Sequence, residues 1–581
     1  MRTILYRRIL CVTGLALILI MPNSAQTKKE ADLILFNGKV VTVDATRPEA
    51  QALALKGDLI LAVGSDKEIQ TYKGPRTQVL DLKGALAVPG FIEGHGHFMN
   101  LGQMKMNLDL MHAKSWDEIV SMVKRAVQRA KPGEWILGRG WHQEKWEKTP
   151  VPNVEGFPIH TSLSQVSPNN PVYLTHASGH ASIANAKAMQ LAGLTRDTKN
   201  PAGGEILRDA QGNPIGVFRE TASRLISRAL LDDRSKRTDK QIEADERKQV
   251  ELAVKECLSK GVTTFYDAGA SFKTIDLYKK LIDDRKLGIR LWVMLSERND
   301  TLAKRIQEYR IINYGDKRLT VRAIKRSIDG ALGSRGAWLL EPYSDMPSSA
   351  GLNTTPVASI DTTARIAIKN GFQLCIHAIG DRGNREVLNL YESTFKAHPE
   401  KRDLRWRIEH AQHLHSADIA RFGRLGVIAA MQGIHCTSDA PYVLARLGAK
   451  RAEEGAYVWQ TLISTGAIIA NGTDTPVEDI DPIASFYASV SRKLKDASLF
   501  YPGQRMSREE ALKSYTISAA YAGFEETFKG SLSTGKLADV TVLSRDIMTI
   551  PEDEIPQAKV LYTIVGGKIL YRGDKGGGVE K

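Results

Sequence analysis

The sequence predicts an α/β fold. Its expected centre is a closed (β/α)8 barrel, with a small β-sandwich domain built from both chain ends and a large insertion after the first barrel strand. Three observations carry this reading. Eight short apolar runs alternate with amphipathic helical patterns, strand-like texture occurs at both termini, and one long gap interrupts an otherwise even spacing.

The terminal elements come first. Ala31–Asp44, Gln51–Gly64 and Gln78–Val88 are short apolar runs bounded by turn residues, with the length and alternation of strands. Lys536–Leu543 and Val560–Tyr571 repeat that texture at the far end. A composite β domain over 26–86 and 530–581 is therefore expected. Between them the runs are Ala87–His97, Gly261–Ala270, Ile289–Leu295, Thr320–Asp329, Phe372–His377, Trp406–His410, Val427–Gln432 and Ala467–Asp474. Most are followed by an amphipathic segment, such as Asp276–Asp284 or Thr362–Lys369. Eight βα units favour a TIM barrel over an open sheet, here spanning 87–529. The gap after the first run predicts an inserted lid or subdomain over 102–258.

At 581 residues the chain exceeds a single small core, and its 42% hydrophobic and 25% charged content is that of a globular protein. Residues 1–25 read as a signal peptide: Arg2, Arg7 and Arg8 precede an apolar stretch, with small residues around Ser24 and Ala25. Export to the periplasm or the extracellular space follows, with no stable membrane partner after cleavage; an uncleaved anchor is the alternative. The formal charge of +14 is spread along the chain in mixed-sign stretches such as Arg234–Arg247, which argues against a nucleic-acid partner. Cys257, Cys375 and Cys436 remain after the leader, too few for a disulfide framework. A homodimer is the default expectation for assembly.

Functional side chains of such a barrel sit where the strands end. The first run ends in His95-Gly96-His97, the fourth carries Lys325, the fifth ends in His377, the sixth in His410 and the eighth in Asp474. Strand alternation points His95 and His97 the same way. Each has a bland reading alone: a chance pair, a packed histidine, a turn residue before Pro476. Their joint occurrence at the ends of separate strands predicts a metal site.

Several stretches make the sequence resemble a known family. PGFIEGHGHF (Pro89–Phe98), GGEILRDAQGNPIGVFRE (Gly203–Glu220), DGALGSRGAWLLEPYSD (Asp329–Asp345), IHAIGDRGN (Ile376–Asn384), RIEHAQHL (Arg407–Leu414), NGTDTPV (Asn471–Val477) and GKLADVTVL (Gly535–Leu543) are similar to the amidohydrolase superfamily, in the branch of N-substituted formamide deformylase-like proteins. The resemblance implies two divalent metal ions, zinc being the natural choice for imidazole-rich ligation. His95, His97 and Asp474 would hold one and His377 and His410 the other, with Lys325 bridging them as a CO2-derived carbamate. An ammonium has no acceptor, whereas a carbamate offers two oxygens. Arg326 departs from the apolar residue usual in that branch; alternation turns it outward, where it needs a partner.

The implied reaction is hydrolysis of a non-peptide amide bond in a small molecule by a metal-bridging hydroxide, with Asp474 shuttling the proton to the leaving amine. His180, in HASGHASIAN (His176–Asn185), is a candidate catalytic and substrate-binding group or a structural loop histidine. Trp141 either lines the pocket or belongs to a core. Arg335 either holds an anionic group or caps its loop, and Gln432 is a weaker candidate of the same kind. Cys375 reads as packing. Ester hydrolysis, isomerisation and decarboxylation remain alternatives on the same scaffold, as does a non-catalytic binding protein.

Overall fold

The computed structural model describes residues 30–111, 113–143, 146–176, 181–201, 204–333 and 335–573. The leader expected over 1–25, and with it the signal peptide, lies outside the described residues. Among the described residues, no helix is long and apolar enough to cross a membrane.

The centre of the fold is a parallel sheet of eight strands. In spatial order they are Phe91–Gly96, Val262–Ala270, Arg290–Leu295, Leu319–Ser327, Gln373–Ala378, Arg407–His410, Ile428–Gln432 and Ile469–Gly472, so all eight expected runs are strands in the expected order. A short strand, Ile311–Asn313, pairs antiparallel with the fourth at the margin. First and last strands lie side by side, and the Asp474 N–H donates to the His95 carbonyl at 2.8 Å. The sheet thus nearly closes on itself. Glycine makes this seam: a Cβ on Gly472 would stand 2.5 Å from the His95 nitrogen. Arg290–Leu295 is buried along its whole length, as a parallel strand covered on both faces must be.

The surrounding helices bury one stripe each. Ser271 caps Phe272–Asp283 by accepting from the Thr274 N–H, and Ile275, Tyr278 and Leu281 recur on the face turned to the sheet. Each such side chain contributes about 1.5–3 kcal/mol through burial. Asp481 caps Pro482–Ser491 in the same way, accepting from the Ile483 and Ala484 N–H groups.

The chain ends form two further sheets. One has four strands, Leu59–Gly64, Ala52–Lys56, Leu33–Phe36 and Gln78–Asp81. The other has six, Lys568–Arg572, Val560–Val565, Val540–Leu543, Leu86–Pro89, Lys39–Val41 and Glu49–Ala50. Leu33, Leu35 and Leu53 of the first share a hydrophobic cluster with Val40, Ala87, Val540 and Ile564 of the second. A buried ion pair ties this unit to the barrel: the Arg290 Nε donates to Asp539 at 2.7 Å.

Two boundaries differ from expectation. The run Ala87–His97 is two strands: Leu86–Pro89 pairs with Val540–Leu543, and only Phe91–Gly96 enters the barrel. Gly90 lies at the change of sheet, where a Cβ would come within 2.3 Å of Thr263 Oγ1. The inserted stretch 102–258 also ends in a barrel helix. Asp239–Ser259 buries Val250, Ala253, Cys257 and Leu258 in the barrel's own cluster. What remains carries a six-stranded sheet, from Leu108–Asp109 to Pro214–Glu220, with a separate core of Trp116, Trp141, Leu163, Leu174 and Val217.

Candidate metal centre

His95, His410 and Asp474 converge where the strands end, all buried, with one ligand atom from each lying within 4.8 Å of the others. The arrangement follows from strand geometry. Alternation brings His95 and His97 to one side of the first strand, their rings 5.8 Å apart and perpendicular. His97 Nε2 lies 3.2 Å and His95 Nε2 3.7 Å from Asp474 Oδ1. His410, the last residue of its strand, takes φ +75°, while Asp474 takes φ +57°. Left-handed backbone at two non-glycine donors costs about 1–3 kcal/mol each, and strain of that kind is found at functional sites.

The remaining predicted donors join them. The ring of His377 meets that of His410 edge-on, with centroids 4.4 Å apart. Lys325 Nζ is 3.3 Å from His95 Nε2. All six expected metal positions are therefore brought to one place.

Burial sets the charge state. It pushes the His95 imidazole down to about 4 and His377 to about 3, with the Lys325 charge adding to both, and takes His410 well below its ordinary value. Neutral imidazoles keep the lone pairs a metal needs. Burial likewise lowers the Lys325 ammonium, against the pull of the Glu409 and Asp474 carboxylates. Burial alone would raise Asp474, but the His97 contact and the other imidazoles hold it well below the usual carboxylate range. His377 Nε2 is buried without a hydrogen-bond partner among the described residues, 3.5 Å from Asp329 Oδ1. An orphaned imidazole nitrogen beside other neutral imidazoles and an ionised carboxylate fits a divalent metal ion.

A second layer, not foreseen from sequence, orients these groups. His95 Nδ1 bonds to Glu409 Oε2, which leaves Nε2 turned to the cluster. Arg407 donates to Glu409 through Nε at 2.7 Å and through a terminal nitrogen at 2.9 Å, and both side chains are fully buried. Burial would raise the Glu409 carboxyl, yet Arg407 and His95 bring it down to about 2. Its signal was present in RIEH: Arg407 and Glu409 are two apart, on one face of an otherwise buried strand. Glu93 accepts from the Thr473 N–H at 2.6 Å and is pushed up to about 8 by burial. Asp329 accepts from Ile379, Gly380 and Trp338 N–H groups, fixing the loops beside His377.

The matched relatives point the same way. The amidohydrolase family profile, Amidohydro_3, matches residues 78–571. The chain belongs to this family. Over 93% of its length, this amidohydrolase is 36% identical to Protein LONG AFTER FAR-RED 3 of Arabidopsis thaliana, covering 92% of that protein. It is 30% identical to the putative amidohydrolase YtcJ of Bacillus subtilis, over 93% of this chain and 99% of the relative. It is 27% identical to the N-substituted formamide deformylase of Arthrobacter pascens, over 93% and 98%. Among solved structures, an uncharacterized metal-dependent hydrolase from Pyrococcus horikoshii superposes with a TM-score of 0.72 at 26% identity, covering 90% of this chain and 99% of that one. Family and buried donor set together make this amidohydrolase a metal-dependent hydrolase.

Three candidate substrate contacts have the following places. Trp141 does not line the site. It is fully buried in the insertion's core, its indole N–H donating to the Leu174 carbonyl at 3.0 Å and its ring packed on Trp146, Phe157 and His176. Arg335 is spent on Asp345 at 2.8 Å, a carboxylate that also receives Arg446, so it braces its loop. Gln432 does reach the centre, but as an orienting group: its Oε1 lies 2.8 Å from His410 Nδ1. His180 lies outside the described residues. Arg326 has found its outward partners, donating to Thr363 Oγ1, the Glu297 carbonyl and Asn299 Oδ1. Cys375 is buried with the barrel's inward apolar residues, as packing.

Proposed function

We propose that this amidohydrolase cleaves carbon–nitrogen bonds, other than peptide bonds, in small molecules. The carrying observation is the buried convergence of His95, His410 and Asp474, with Lys325 Nζ 3.3 Å from His95 Nε2. The printed name of the Arthrobacter relative, a formamide deformylase, supports an amide among the candidate bonds.

In this reading His95, His97 and Asp474 would hold one divalent ion, zinc by preference, and His377 and His410 a second. Lys325, carboxylated by CO2, would serve both; burial lowers its ammonium pKa, which favours the neutral amine that reaction requires. When bound, such ions polarise a carbonyl and make hydroxide available near neutral pH. The chain's own residues do the rest. Glu409 and Gln432 keep the His95 and His410 rings aimed. Asp474, ionised and beside His97, takes the proton from the attacking water and hands it to the departing nitrogen, which leaves poorly unless protonated. His180 remains a candidate for holding the acyl oxygen.

We further propose that the two terminal sheets pack as a β-sandwich and that the unit following the first barrel strand covers the barrel mouth as a lid. The enzyme is exported to the periplasm or beyond, works without nucleic acid or membrane, and assembles as a homodimer.

Elemental analysis of protein purified without chelators, combined with a panel of formamides, cyclic amides, acylated amines and esters, tests the central reading. Two equivalents of a transition metal, falling toward one or none in Lys325→Ala, with turnover of at least one amide, are expected. A metal-replete protein that hydrolyses only the esters would overturn the carbon–nitrogen assignment.

A further inference from the structure

Barrel strand seven ends at Gln432, and the helix Gly433–Leu447 begins on the next residue. The third residue of that helix, His435, is therefore delivered to the same end of the barrel as the metal donors. Its ring lies nearly parallel to that of His410, 9° apart, with centroids 6.3 Å from one another. It is 6% exposed, and its Nε2 is buried with no hydrogen-bond partner among the described residues. Burying a polar group unsatisfied costs about 1–3 kcal/mol.

Neither of the duties found nearby accounts for that cost. Gln432 already orients His410, so His435 is not needed for it. The close-set donor group is His95, His410 and Asp474, and His435 is not of it. Of the polar groups around the centre, Glu409 is engaged by Arg407 and His95 and Glu93 by Thr473, while His377 Nε2, likewise unpartnered, belongs to the proposed donor set. A carbonyl under attack gains negative charge on oxygen, and it is stabilised by a donor already aimed at that position.

We propose that His435 is a substrate-contacting residue whose Nε2–H donates to the carbonyl oxygen of the bound substrate. This rests on the hydrolase reading above and adds a protein donor for the acyl oxygen from the strand-seven side. Substrates with a carbonyl or carboxamide oxygen are thereby selected over isosteres lacking an acceptor there.

The test compares the metal-loaded parent with His435→Phe and His435→Gln. Acetohydroxamate serves as the amide-like probe, and metal content and thermal unfolding are measured on each protein. His435→Phe is expected to retain its metal and to melt no lower than the parent, because it removes an orphaned polar atom rather than a bond. It should bind the probe about tenfold more weakly, the effect of one lost hydrogen bond in a buried site. His435→Gln, which keeps an N–H donor, should recover most of the binding. Should the phenyl ring prevent folding, His435→Ala is read the same way. Parent-like binding in the Phe variant, loss of metal from it, or failure of folded His435→Gln to recover binding would each overturn the proposal. A parent that turns over no amide but still loses probe affinity with His435 would sink the functional reading and leave this one standing.

Discussion

Glu409→Gln isolates the charge in the layer behind the metal donors. The substitution keeps the side chain's shape and an oxygen for His95 Nδ1, but strips the negative charge from between Arg407 and His95. A carboxyl held at about 2 instead of its ordinary 4.5 corresponds to about 3 kcal/mol in favour of the folded state. That agrees with the roughly 3–5 kcal/mol usual when one member of a buried ion pair is removed. Because the folded value is the lower one, the contribution is complete above pH 4.5 and fades as the pH falls toward 2. Urea unfolding at pH 7 should therefore show the first cooperative transition weakened by about 3 kcal/mol, and the gap to the parent should narrow below pH 4.5. Competition with a chelator should show a smaller effect on metal affinity, at the lower end of the ten- to hundredfold range for groups behind a ligand. Adding Arg407→Met should restore most of the stability, since the stranded guanidinium is then gone. A single variant as stable as the parent at pH 7 would refute this account of the pair.

Other residues give sharper single readouts. Asp474→Asn should lower amide turnover by about 10²–10⁴-fold, the span of a lost general acid–base group, as seen in steady-state kinetics at matched metal content. Gln432→Ala removes the acceptor that fixes His410 and should weaken metal binding about ten- to a hundredfold in chelator competition, with little change in melting. Trp141→Ala should destabilise the inserted unit by about 3–5 kcal/mol in denaturant unfolding, while KM for any substrate found stays at the parent value.

The barrel was legible because its strands are covered on both faces and so appear as unbroken apolar runs. The candidate metal donors were legible because all but Lys325 stand where such a run stops. What stayed hidden depended on contacts between distant segments. Nothing local separates Leu86–Pro89 from Phe91–Gly96, since both are buried strand; only pairing with Val540–Leu543 divides them. The Asp239–Ser259 helix looked like the tail of the insertion because helical periodicity does not say which neighbour a face will meet. Trp141 showed the converse limit: an aromatic in a glycine-rich stretch suits a pocket and a core equally, and the Leu174 carbonyl decides it. The bond from Gln432 to His410 was likewise hidden, since only their meeting in space reveals what the amide holds.

The pairing of Leu86–Pro89 with Val540–Leu543 has a consequence for biogenesis. The strand that carries His95 is led into the barrel by a segment whose partner lies far downstream in the sequence, and Ile469–Gly472, its neighbour at the barrel seam, leads to Asp474. A growing chain can thus form its middle βα units before His95 and Asp474 meet, which waits for the eighth barrel strand. A chain that stops before Asp474 lacks the seam that unites it with His95, so the candidate metal centre assembles only after all eight barrel strands have been made.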